Sequence, residues 1–261
     1  MDSFFYAIPS WLLFLLIVGG SVALAWVGTV LLRRLTTAPK DDRHNEVAGF
    51  IFATVGVLYA VLLAFTVIIV WEQYLAAESA VSQEAAALIT VAHDAFSFPE
   101  PARGMVYDQL RAYAQFVLNE EWRTMDEATL EHEESTGALA AVNTIWSMYR
   151  SLPPDKVDPH TTDSLDVLST QQAQRLQSNV AALPEVLWLG LLLGGVVTIC
   201  FALVLHMENV RLHAALTALL AGLIAICIWM IAMITHPFGG EVHVFTAAFQ
   251  HAIHVIEGLP R

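Results

Sequence analysis

Histidines, cysteines and carboxylates are the residues of this 261-residue chain able to carry metal, redox or acid–base chemistry, and their spacing argues against all three. His251 and His254 stand three apart on an amphipathic C-terminal stretch, with His243 nearby. Two such side chains on one helical face can bind zinc, but no Cys or carboxylate joins them at ligand spacing, so a surface role is expected. His93 and Asp94 are adjacent, which on a helix turns them about 100° apart and leaves no acid/base pair. Cys200 and Cys227 fall in two successive apolar runs that would form an antiparallel hairpin. At 1.5 Å per residue they lie roughly 14 Å apart along its axis, too far for a disulfide. With no Gly-rich phosphate loop and no nucleophile elbow, the expectation is no enzyme, no catalytic residue, no cofactor and no metal site.

One constellation remains, and its chemistry is permeation. Gly49, Ala53, Gly56, Ala60 and Ala64 recur at steps of four, three, four and four, which aligns small side chains on one helical face. Such a stripe lets helices approach closely. Val57 and Val61 border it, and several copies around an axis would turn the face into a narrow apolar constriction that gates by dewetting. Asn45 and Glu46 open this segment as cap and dipole partner, or as an ion-binding inner mouth. Trp71, Glu72 and Tyr74 close it, as an interfacial aromatic belt or as the outer mouth.

Positioning these residues takes membrane-spanning helices. Of the chain, 56% is apolar and 14% charged, against about 25% charged in soluble domains. Four runs, Ile8 to Leu32, Val47 to Trp71, Pro184 to Leu205 and Leu212 to Thr235, each reach the ~20 apolar residues needed to cross ~30 Å of hydrocarbon. The predicted division is therefore 1–71 with two spans and a basic loop at 33–45, an acidic domain at 72–183, two more spans at 184–235, and a short C-terminal segment at 236–261. The first run has Asp2 before it and Arg33 and Arg34 after it, the pattern of a retained helix. The segment 72–183 holds 17 acidic and 6 basic residues, −11 of the formal net charge of −13, which excludes nucleic acid as a partner. Arg33, Arg34, Lys40, Arg43 and Arg211 occupy the short loops, so the positive-inside rule puts those loops in the cytoplasm and the acidic domain outside.

From Glu46 to Phe96 there is no Pro, and Gly56 is the last Gly, which predicts one continuous helix of about 50 residues leaving the membrane. Beyond the membrane, Leu75, Ser82, Ile89 and Phe96 recur every seven residues, with Ala85 and Ala92 between them, as a coiled-coil seam. Val106, Leu110, Tyr113 and Val117, then Leu139, Val142, Trp146 and Tyr149, then Leu165, Leu168, Leu176, Val180 and Leu183 mark further amphipathic helices. They are separated at "FPEP", "EHEEST" and "LPPDKVDP". The fold class is all-α, four transmembrane helices in two pairs with a helical domain inserted between them.

The order of these elements, with "NEVAGF" (Asn45 to Phe50), "LYAVLLAF" (Leu58 to Phe65), "WEQY" (Trp71 to Tyr74) and "HPFGG" (His236 to Gly240), resembles the bacterial bestrophin-like family, also filed as the domain of unknown function DUF4239. It is more distantly similar to the bestrophin anion channels, pentamers in which the second helix lines an apolar neck and continues into the helical domain past a W-N-Q-Y motif. Trp71, Gln73 and Tyr74 match that motif, and Glu72 replaces its Asn. Counting back from it, the resemblance puts the neck at Ala53, Val57 and Val61, where large neck residues become Ala or Val. Bestrophins also keep the central domain in the cytoplasm, and no acidic cluster here matches their calcium clasp.

The resemblance implies a multi-pass protein of the bacterial inner membrane, partnered by the lipid bilayer, by further copies of itself, five by analogy, and by inorganic ions. Three classes fit the layout: an oligomeric anion channel, a sensor or scaffold binding a ligand or partner through its outer domain, and a stator-like energy-coupling subunit. A sensor needs an inner output element, and the inner loops are only Arg33 to Asn45 and His206 to Arg211. A proton-driven stator needs a polar path, and the spans offer Thr29, Thr54, Thr66, Thr198 and Thr217 without a mid-depth carboxylate. The expected function is the channel.

Overall fold

The computed structural model describes residues 9–35, 42–126, 136–151, 159–180 and 183–260. Every element among them is helical, and they divide into two compact units, residues 1–72 with 182–235 and residues 73–181 with 236–261. Part of the basic loop, 36–41, the acidic stretch 131–135 and most of the Pro-rich break, 152–158, lie outside the described residues.

In the first unit α1 (Ser10–Leu35) includes a π-helical turn at Leu15–Gly19. Helix α2 (Asp42–Asp94) begins in this unit, joined by α6 (Glu185–Val204) and α7 (Val210–Ile234). All four are long and apolar enough to span a bilayer. Their ends have local causes. Pro184 precedes α6, and Asn209 caps α7 by accepting hydrogen bonds from the backbone N–H groups of Arg211 and Leu212. Val70, Leu183, Leu191 and Ile231 form the buried core around which α2, α6 and α7 meet.

Hydroxyls inside hydrocarbon need partners, and five threonines find theirs on their own helix. Thr29, Thr54, Thr66, Thr198 and Thr217 all donate to the carbonyl four residues earlier, at 2.7 to 3.1 Å. These threonines therefore give the stator reading no proton path.

The second unit contains the rest of α2 and α3, which runs Ala102–Phe116, makes a π-helical turn at Val117–Glu121 and finishes at Trp122–Asp126. It is completed by α4 (Thr136–Arg150), α5 (Pro159–Val180) and α8 (Ala247–Gly258). Val106, Leu110, Tyr113 and Val117 are buried together, as their spacing predicts. The C-terminal segment supplies Phe238, Val244, Phe249, Ala252 and Ile256 to this core.

The heptad seam is covered only in part: Ile89 packs against the core and Ala85 and Ala92 are buried. Leu75, Ser82 and Phe96 are exposed, whereas Ala77, Val81, Glu84, Leu88, Val91 and Ala95 are buried. Their spacing of four, three, four, three and four follows the 3.6-residue period of a helix covered by its own chain. Leu139 likewise faces out of its predicted stripe.

Candidate functional site

Helix α2 brings together the residues singled out for permeation. At about 100° per residue, Ala53, Val57 and Val61 span about 80° of its circumference, on the side away from Tyr59, Thr66 and Val70. The last three are buried within the first unit. Ala53, Ala60 and Ala64 are exposed, as are Val57 at 64% and Val61 at 47%. A methyl group added at Gly49 or Gly56 would meet no atom within 4 Å. The small stripe thus makes no close approach inside its own chain. Ala53 instead lines an open apolar groove together with Phe50, Thr54, Val57 and Leu58.

The glycines that hold α2 within the unit lie elsewhere. A Cβ at Gly194 of α6 would come within 2.5 Å of the Tyr59 ring, and one at Gly195 within 3.0 Å of its hydroxyl. That clearance lets Tyr59 lie flat against α6 and donate to the Leu191 carbonyl at 3.0 Å, satisfying a phenol inside the bilayer. The adjacent glycines in an apolar run were the available signal for this contact, and spacing along α2 alone does not reveal it.

At the basic end of the spans, Asn45 departs from its expected role. The helix already runs from Asp42, so Asn45 is not its cap. Its side-chain amide donates to the His206 carbonyl and accepts from the His206 N–H, both at 2.9 Å, clamping α2 to the turn between α6 and α7. Arg33 reaches the same turn, donating to His206 Nδ1 and to the Met207 carbonyl, each at 2.5 Å. Because a guanidinium only donates, that ring nitrogen is the acceptor. Glu46 remains exposed. At the other end, Trp71 and Glu72 are exposed, and Tyr74 donates to the His243 carbonyl at 3.3 Å. His251 and His254 are exposed on α8, and no cluster able to hold a metal ion occurs among the described residues.

A charged cluster absent from the sequence expectations fills the second unit. Arg175 of α5 is wholly buried and donates to Glu84 of α2 through Nε at 2.7 Å and Nη2 at 3.2 Å. Nη2 also meets Glu121 at 2.5 Å, and Tyr113 donates to Glu84 at 2.5 Å. The π-helical turn ends at Glu121, and its extra residue per turn shifts the following side chains around the helix. Burial pushes the Glu84 carboxyl above its ordinary range, opposed by Arg175 and Tyr113. For Arg175, burial alone would lower the pKa, but Glu84 and Glu121 outweigh it and keep the guanidinium charged. Two carboxylates share one cation, so the cluster is fixed and dehydrated. A single charge interrupting an apolar face, Glu84 between Val81 and Leu88, was its only sequence signal.

A family model described as the Bestrophin-like domain matches residues 19–249. Among solved structures, the chain is similar to a point mutant of a bacterial bestrophin homolog from Klebsiella pneumoniae, with a TM-score of 0.73 and 13% identity over 93% of this chain and 99% of that one. The zinc-phased crystal structure of a bestrophin homolog from the same organism gives 0.70 and 11% identity over 92% and 98%. A crystal structure described as a mutant membrane protein gives 0.71 and 11% identity over 92% and 97%. At such identities the likeness is one of fold. No curated protein matches the chain.

Proposed function

The chain belongs to the Bestrophin-like family, and we propose that it is a homo-oligomeric ion channel of the bacterial inner membrane, passing anions along an axis lined by α2 from each of five copies. The observation that carries this reading is the uncovered face of α2. In a chain with the bestrophin fold, Gly49, Gly56, Ala60 and Ala64 present close-approach surface that their own protomer leaves open. The bordering Val57 and Val61 ring the axis with side chains that offer an ion's water no hydrogen bond, and Ala53 widens the path one turn below. Asn45 acts as a strut behind the inner mouth, while Glu46 and Glu72 are the charged groups nearest the two ends.

If this ring is the barrier, a hydroxyl of the same volume eases wetting. Val57→Thr and Val61→Thr are expected to raise anion flux through purified protein in liposomes, though a bond to the helix's own carbonyl will blunt part of the gain. Unchanged flux in both, with the oligomer intact, removes α2 as the gate. For orientation we take the acidic unit to be extracytoplasmic, since Arg33, Arg34 and Arg211 all sit at the opposite end of the spans. A topology reporter inserted at 131–135 is expected outside and one at 38–42 inside; a cytoplasmic signal from the first reverses the assignment.

A further inference from the structure

Two hydrogen-bond donors in the second unit are buried without acceptors, one turn apart on the same helix. Tyr107 and Arg111 are four residues apart on α3, which puts both on one face. Tyr107 is 3% exposed, and its hydroxyl has no hydrogen-bond partner among the described residues. Burial pushes its pKa above the ordinary tyrosine value, so the group is a donor at neutral pH. The Arg111 guanidinium donates through Nη1 to Asp108 at 3.1 Å, but its Nε is buried and has no acceptor among the described residues. Glu257 of α8 comes within 3.9 Å of that Nε, an ion pair too long for a hydrogen bond. A buried donor left unpaired costs stability, and these two share one place. Tyr107, Arg111 and Glu257 line a cavity of about 280 Å³, with Ile256 and Leu259 completing its lining.

The charges decide which ligand suits the cavity. Two donors, one of them cationic, match the two oxygens of a carboxylate. Arg111 already faces two carboxylates, Asp108 and Glu257, while Glu100 and Arg103, the other ions acting on Tyr107, pair with each other at 2.8 Å. The site is therefore net negative, and a plain anion is disfavoured there. A zwitterion is not, because it brings an ammonium for Glu257, whose half-exposed side chain can turn from Nε to meet it. A volume at the low end for ligand pockets, with aliphatic side chains in the lining, restricts the remainder to a short apolar group. We propose that this cavity binds a small aliphatic amino acid. The carboxylate accepts from the Tyr107 hydroxyl and Arg111 Nε, the ammonium donates to Glu257, and the side chain rests on Ile256 and Leu259. The site lies wholly within the second unit, and the inference holds whether or not ions pass along α2.

The test titrates the full chain, purified in mild detergent, with L-valine by calorimetry. Two fragments are run beside it: isovalerate, which is valine without its ammonium, and isobutylamine, which is valine without its carboxylate. L-Valine is expected to bind in the millimolar range or tighter and each fragment at least about tenfold more weakly, since each leaves a charged hydrogen bond unmade. Isovalerate binding as tightly as L-valine, or no heat from L-valine through the millimolar range, overturns the proposal. Tyr107→Phe removes only an unpartnered hydroxyl, so its melting temperature without ligand is expected to match the parent's. L-Valine should bind this variant severalfold more weakly and raise its melting temperature less than the parent's. A lower melting temperature for the ligand-free variant means that the hydroxyl is already bonded within the fold, which overturns the donor assignment. Glu257→Gln is expected to lose about tenfold in L-valine affinity and, with it, the preference over isovalerate. L-Valine affinity unchanged in either variant places the binding elsewhere and overturns the site.

Discussion

The two halves of α2 are built from similar residues and are used in opposite ways. Beyond the membrane, Ala77, Ala80, Ala85, Ala87 and Ala92 are buried by the helix's own chain. Within the membrane, Ala53, Ala60 and Ala64 are exposed, and Gly49 and Gly56 face open space. Small side chains mark where a helix can be approached closely; they do not say by whom. Helix α7 supports this lesson, since its own small residues, Ala214, Ala218, Ala221 and Ala225, are buried, and a Cβ at Gly222 would come within 3.0 Å of Val22 of α1. The stripe left open on α2 is available to another copy.

The contrast between a filled half and an open half can be broken most severely at Arg175. Arg175→Met leaves Glu84 and Glu121 buried without their cation, which is expected to cost about 3 to 5 kcal/mol. Thermal unfolding or limited proteolysis of the second unit reads this loss. A melting temperature near that of the parent would show that water reaches the cluster and that this half is not filled as described.

A matched pair sharpens the contrast directly. Ala92→Leu overpacks a side chain with no exposed surface and is expected to destabilise the protomer by about 1 to 3 kcal/mol. A Cβ at Gly56 meets nothing within its own chain, so with Gly56→Leu protomer stability is expected to hold while the oligomer dissociates in mild detergent. Equal effects of both on the protomer would erase the distinction between the halves.

The smallest expected effect is on pH dependence. Burial raises the folded-state pKa of Glu84, so its contribution to stability is fully present below the unfolded-state value and declines as pH rises through the folded one. Glu121 adds to that rise by like charge. Glu121→Gln is therefore expected to flatten the decline, measured as unfolding midpoints across a pH series. A steeper decline would contradict the assigned coupling.

The contrast also bears on what the sequence can reveal. The spans were legible because hydrocarbon thickness demands a fixed length of apolar residues, and the long helix because no proline interrupts it. The seam from Leu75 to Phe96 departs in part because a strict seven-residue repeat drifts from the 3.6-residue period along which Ala77, Val81, Glu84, Leu88, Val91 and Ala95 are buried. Glu84 and Arg175 lie 91 residues apart, and each reads as one more surface charge in an acidic segment. Asn45 looked like a cap because its partner, the His206 backbone, is 161 residues away. Side chains whose role depends on a distant segment carry no local signature.

The central claim is that the open face of α2 turns toward an axis shared by several copies. End-on images of single purified particles in lipid nanodiscs test it most directly, because they count copies and reveal any central hole. Five copies in a ring, with the densities of α2 nearest a narrow axial opening at the level of Val57 and Val61, are the predicted result. A single copy, or a ring whose axis is lined by α1 or α7 while α2 faces lipid, would contradict it.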